Sequence, residues 1–200
     1  MFTPDSDVLV KQLDEPQGKG RFWEVEHQLV YDGRHEHFTV APPFTTDFAS
    51  VPRFFVWFIP RYGRYTRAAI LHDSLWERAR AGNMAWRDAD GLFRRAMHEL
   101  NVPFLRRWIM WAGVRWGSLW HARQGGAKGW VKDAPLVLLL TLLAAPVVLP
   151  PAVLILGALV VFFVYESIVW LALLIGRAIK RAFGKELDPK LNRPSLSLKL

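Results

Sequence analysis

The 200-residue chain contains no cysteine. That excludes a disulfide framework, a thiolate metal site and a thiol nucleophile. Acidic residues are also short, 18 Asp and Glu against 26 Lys and Arg, for a formal charge of +8. The first residues, M-F-T-P-D-S-D, lack a basic segment followed by an apolar one, so no cleavable signal peptide is expected. The longest absence is of charge itself. From Ala134 to Tyr165 there is no charged residue, and Glu166 alone interrupts the run before Arg177. Such a run is long enough to be a membrane segment. Beside it, the basic excess fits anionic lipid headgroups better than nucleic acid, for which no motif is present.

The remaining sequence, in a chain that is 52% hydrophobic, is enough for one domain with a core. Val8 to Leu13 and Phe22 to Tyr31 read as strands, with Trp23, Val25 and Leu29 alternating imperfectly with Glu24, Glu26 and Gln28. Asp32-Gly33 is a favoured turn pair, and His35 to Ala41 returns as a strand, so a β-hairpin is predicted. His35 and His37 share a strand face; without a third ligand nearby they read as polar residues on its solvated side. Ala41 to Arg53 carries Pro42, Pro43 and Pro52 and is predicted to be a structured loop rather than a regular element. Within it, Thr46, Asp47, Ser50 and Arg53 form a candidate binding loop, with an Asx-type turn as the alternative role of Asp47.

The chain is organised around Thr66 to Phe93, T-R-A-A-I-L-H-D-S-L-W-E-R-A-R-A-G-N-M-A-W-R-D-A-D-G-L-F, two helical segments joined at Gly82-Asn83. His72 and Trp76 are four apart and share a face with Leu75 and Ala79, while Asp73 points about 100° away. Asp90 lies among Ala89, Leu92, Phe93 and Ala96, on the face that should meet the first helix. A carboxylate on that seam needs a partner, and His72 is the nearest candidate. The pair would be a general base with its orienting group. Pro103 then opens a third helix in which tryptophans alternate with Arg106, Arg107, Arg115 and Arg123, an amphipathic stretch suited to a membrane surface.

Three ordered blocks, T-T-D-F-A-S-V-P-R, A-A-I-L-H-D-S-L-W and A-D-G-L-F-R-R-A-M, resemble the family catalogued as domain of unknown function 1353, found in bacteriophages, prophages and bacteria. That resemblance implies a phage or prophage origin and no activity. The H-D-x-x-aromatic helix followed by A-D is also similar to the catalytic helices of phospholipases A2, above all the short viral form. This second similarity implies His72 as base for a water, Asp73 as a Ca2+ ligand and Asp90 as the residue that orients His72. Trp76 stands where that family has tyrosine, and no Gly-rich calcium loop precedes the helix.

The expected architecture is α+β: an N-terminal β-hairpin or small sheet, a helical pair, an amphipathic helix and a C-terminal transmembrane hairpin. Residues 1–126 form the soluble domain, 127–133 a linker, 134–176 the membrane hairpin broken at Pro150-Pro151, with a single tilted, kinked span as the alternative, and 177–200 a basic, disordered tail. Glu166 falls inside the second span. Basic flanks at both ends place the protein in the bacterial inner membrane as a multi-pass protein with its N-terminal domain in the cytoplasm. Two functions stay open. One is a phage-type membrane-anchored, phospholipase-like ester hydrolase, metal-dependent through Asp73. The other is a non-enzymatic structural or host-interaction protein, tethered to the membrane beside phage or host membrane proteins. A metal-dependent hydrolase of nucleotides or peptides would need more ligands than the sequence places.

Overall fold

The computed structural model describes residues 1–3, 7–17, 21–33, 36–49, 51–52, 55–121, 129–183 and 193–194. The chain divides into two compact units, residues 1–51 with 58–146 and residues 52–57 with 147–200. In order, the elements are β1 (Val10–Gln17), β2 (Arg21–Val25), β3 (Leu29–Asp32), β4 (His37–Val40), β5 (Phe44–Thr46), α1 (Thr66–Arg80), α2 (Trp86–Glu99), α3 (Phe104–Trp120) and α4 (Trp130–Ala182).

In the first unit, β1, β2 and β5 make one antiparallel sheet and β3 and β4 a second. The hairpin expected at Asp32-Gly33 is β3/β4, in register Leu29↔Val40, Tyr31↔Phe38 and Asp32↔His37. Leu29, Tyr31, Phe38 and Val40 are buried, so the period of two places one face of this hairpin in the core. The predicted strand Phe22 to Tyr31 is in fact two, β2 and β3, interrupted at Glu26 to Gln28, three consecutive exposed polar residues. The predicted irregular loop contains a short strand, β5, paired with β2 as Trp23↔Thr46 and Val25↔Phe44. Prolines block donors at positions 42, 43 and 52 only; residues 44 to 46 keep theirs and use them. His37 sits on the wet side, where its ring meets the Asp32 carboxylate at 2.5 Å; His35 lies outside the described residues.

The helical pair forms as the spacing predicts, broken at Gly82, whose φ of 80° suits glycine. Pro103 caps α3, as expected from a residue that cannot continue a helix from the preceding turn. The core unites the hairpin residues with Ile70, Leu71 and Leu75 of α1, Leu92, Phe93 and Met97 of α2, and Met110 of α3. A second cluster joins Trp111 and Ala112 of α3 to Val137 of α4. The amphipathic reading of α3 needs correction at its centre. Phe104, Leu105, Arg106 and Trp120 are exposed, but Trp111 and Arg115 are buried.

α4 begins at Trp130, inside the segment expected to be a linker, and runs unbroken to Ala182. The expected hairpin with a turn at Pro150-Pro151 is therefore one continuous helix. Each proline gives up a single donor while its fixed φ remains helical, whereas a turn here would strip partners from several backbone groups among Val, Leu and Ala. In the second unit this helix carries Val153, Leu154, Phe162 and Ile168 exposed. It is long and apolar enough to cross a membrane, and only 11% of its most apolar window is buried.

Candidate functional site

His72 and Asp90 meet as their positions on α1 and α2 predict. His72 Nε2 lies 2.9 Å from Asp90 Oδ1, with both side chains buried. A carboxylate in that contact accepts, which puts the imidazole proton on Nε2 and the lone pair on Nδ1. Nδ1 bonds no described residue and is not a buried unpaired nitrogen, so it reaches the surface. The ring is fixed on both sides, stacked on Phe93 at 4.6 Å and tilted against Trp76 at 5.3 Å. Trp76 also donates its indole N–H to Asp90 Oδ1 at 3.0 Å. Gly117 makes room for that indole: a Cβ there would come within 3.2 Å of the Trp76 ring.

The other oxygen of Asp90 is met by α3. Arg115 Nη1 donates to Oδ2 at 2.9 Å and the Ser118 hydroxyl donates to it at 2.5 Å. Arg115 is fully buried, and its Nε lies 3.2 Å from Asp133 Oδ2 at the start of α4. That contact is an ion pair by distance without the alignment of a hydrogen bond. Asp133 in turn receives Arg87 of α2 in a bidentate fork, with Nε at 3.0 Å from Oδ2 and Nη2 at 2.9 Å from Oδ1. A chain of opposite charges, Asp90, Arg115, Asp133 and Arg87, with the His72 ring bonded at its Asp90 end, thus binds α1, α2, α3 and the first turn of α4.

Sequence reasoning placed Arg115 on a membrane surface and Asp133 in a linker, and it missed Ser118. One signal was available. Trp111, Arg115 and Ser118 recur at i, i+4 and i+7, so two polar residues share the apolar stripe of α3. Asp133 sits in the first turn of its helix, where a carboxylate is favoured.

Burial alone would push the Asp90 carboxyl pKa up. The hydrogen bonds and charge of His72, with the bonds from Ser118 and Trp76, outweigh it and hold the group below the usual carboxylate range. A folded-state value below the unfolded one means stability that is present above about pH 4 and is lost as pH falls through the lower, folded value. Melting curves of the full chain should therefore weaken between about pH 5 and pH 3. Asp90→Asn, already weaker at neutral pH, should lack that part of the slope; an unchanged slope would contradict the assignment.

Asp73, the next residue, turns to the loop rather than to His72. Thr46 is fully buried, donates its hydroxyl to Asp73 Oδ2 at 2.6 Å, and accepts the Phe48 N–H at 2.8 Å. Of the candidate loop residues, Thr46 is thus joined to α1. Asp47 is half-buried, with no contact to His72 among the described hydrogen bonds, and Ser50 and Arg53 lie outside the described residues. One oxygen of Asp73 already holds a hydroxyl proton, and among the described residues no three His, Asp or Glu side chains gather to hold an ion. Thr46→Val and Asp73→Ala should each cost about 1–3 kcal/mol, since each leaves a polar partner unpaired. In a double-mutant cycle read by thermal melts the two losses should not add; additive losses would mean that the bond carries no stability.

The arrangement defines a class: a small α+β domain carrying a carboxylate-held histidine between two antiparallel helices, followed by a long apolar helix. Residues 23–114 match the model of the family described as Protein of unknown function (DUF1353). His72, Asp73, Asp90 and Thr46 fall within the matched residues; Arg115, Ser118 and Asp133 fall beyond them. No curated protein and no solved structure matches the chain.

Proposed function

We propose that the protein is a membrane-anchored, phage-type hydrolase in which His72 acts as general base on an ester at the lipid surface. The observation that carries this reading is the His72–Asp90 geometry: Nε2 is held by a buried carboxylate while Nδ1 is left with its lone pair and a path to the surface. Nδ1 would take a proton from a water as the water oxygen attacks the ester carbonyl. The imidazolium would return that proton to the leaving alkoxide, giving acid and alcohol. Because Arg115 shares the charge of Asp90, the carboxylate serves chiefly to fix the tautomer and the ring. In the metal-dependent form of this reading Asp73 would offer its carboxylate to Ca2+ while one of its oxygens keeps the Thr46 hydroxyl. Fatty-acid release from vesicles tests the reading, with His72→Gln as the control.

The exposed apolar length of α4 supports an anchor in the bacterial inner membrane, and the exposed Phe104, Leu105 and Arg106 of α3 support contact with anionic headgroups. We place the N-terminal domain in the cytoplasm. A continuous α4 crosses once, so reporter fusions after His121 and at the C-terminus should report opposite sides; the same side from both would restore a two-span hairpin.

A second reading is favoured by one observation, the four donors that saturate Asp90. Here the buried charges are only a clamp, and the protein is a non-enzymatic membrane-tethered structural or host-interaction component. His72→Gln then changes stability alone.

A further inference from the structure

Away from His72, a cavity of about 980 Å³ opens between the β1–β2–β5 sheet and the approach to α1. That volume is at the upper end for small-molecule sites. Its walls differ in character. Val8, Val10, Trp23 and Phe48 give the lining an uncharged part, and Arg64 and Arg67 give it a charged one. Phe48 holds a φ of 61°, uncommon for a bulky residue, with its N–H on the Thr46 hydroxyl and its ring 5.6 Å from that of Trp23. The loop thus spends conformational strain to keep an aromatic ring in the cavity wall.

Among the described residues, the arginine charge of the lining is only partly balanced. Arg64 is exposed and engages no described acidic side chain. Arg67 donates from Nη2 to Asp7 Oδ1 at 3.1 Å, an 89%-exposed carboxylate, and the rest of its fork is uncommitted. The first turn of α1 offers no acid either. A small polar anion would leave the apolar face unfilled, and a neutral lipid would leave Arg64 unpaired.

We propose that this cavity binds a single-chain anionic amphiphile, with its hydrocarbon tail against Val8, Val10, Trp23 and Phe48 and its headgroup on Arg64 and Arg67. The headgroup is a carboxylate or a phosphate monoester, which share the chemistry that a guanidinium recognises. Nothing in this assignment depends on His72 being catalytic.

The test uses the full chain in zwitterionic lipid nanodiscs, a photoreactive palmitate as probe, and mass-spectrometric mapping of the labelled peptides. Saturable labelling is expected on the peptides holding Val10, Trp23 or Phe48. Palmitate or lysophosphatidic acid should displace it, the better competitor identifying the headgroup, and lysophosphatidylcholine should not. The surface double variant Arg64→Gln/Arg67→Gln should weaken labelling by about tenfold or more, the effect of losing about 1.4 kcal/mol of binding. Val10→Trp, which sets an indole against the path of the tail, should weaken labelling, while His72→Gln should label as the unaltered chain does. Labelling that does not saturate, that is confined to residues 147–182, that survives the double arginine variant, or that lysophosphatidylcholine displaces equally well would overturn the proposal.

Discussion

Arg115→Met should cost more stability than any other single change at this site, about 3–5 kcal/mol, because it takes a buried cation from two buried carboxylates at once and leaves Asp90 with no charged arginine partner. Arg115 and Asp90 are both fully buried, and Arg115 is the only described cation close to both Asp90 and Asp133. Removing its guanidinium returns no hydration to either acid. Asp133→Asn should cost less, about 1–3 kcal/mol, since Arg115 keeps Asp90 and the forked Arg87 is half-exposed. Arg115→Lys should fall between the two, as one ammonium cannot span both partners in the way a guanidinium does. Thermal melts of the full chain in detergent check the order. Equal losses for the Arg115 and Asp133 variants would mean that the ion chain does not act as a unit.

His72→Gln should have the largest effect on activity, a fall of about 10²- to 10⁴-fold in any ester hydrolysis the protein performs. Gln can still donate an amide hydrogen to Asp90, so the carboxylate keeps its partner and the melt should shift little. It offers no base, so proton transfer from water is lost. His72→Ala removes both the bond and the ring that stacks on Phe93, and should lower stability as well as rate. Comparing Gln with Ala separates the chemical role of the imidazole from its packing.

Local pattern and pairwise need carried the sequence reading a long way. The helix pair, its Gly82 break, the Asp32-Gly33 hairpin and the start of α3 follow from periodicity and turn chemistry acting within a few residues. The His72–Asp90 pair was legible because a carboxylate on an apolar seam demands a partner and one imidazole lay opposite. Arg115 was not legible by the same route. Arginine among tryptophans reads as a surface residue, and its burial makes sense only once Asp90, 25 positions before it, and Asp133, 18 positions after it, converge on one guanidinium. The Asp73 contact was not legible for a related reason. Its helical position gave its direction relative to His72 but not the buried Thr46 hydroxyl that the β5 strand brings to it. The unbroken α4 shows the limit of reading proline as punctuation, since Pro150 and Pro151 stand where a helix is less costly than a turn.

The most direct measurement is fatty-acid release from phosphatidylglycerol vesicles by the full-length protein, run beside its His72→Gln variant at equal protein and with the melts of both recorded. The account predicts release by the unaltered chain and a loss of about a hundredfold or more in the variant with a nearly unchanged melt. No release by the unaltered chain with or without divalent ions, or equal release by both proteins, would contradict it and leave His72, Asp90 and Arg115 as a structural clamp.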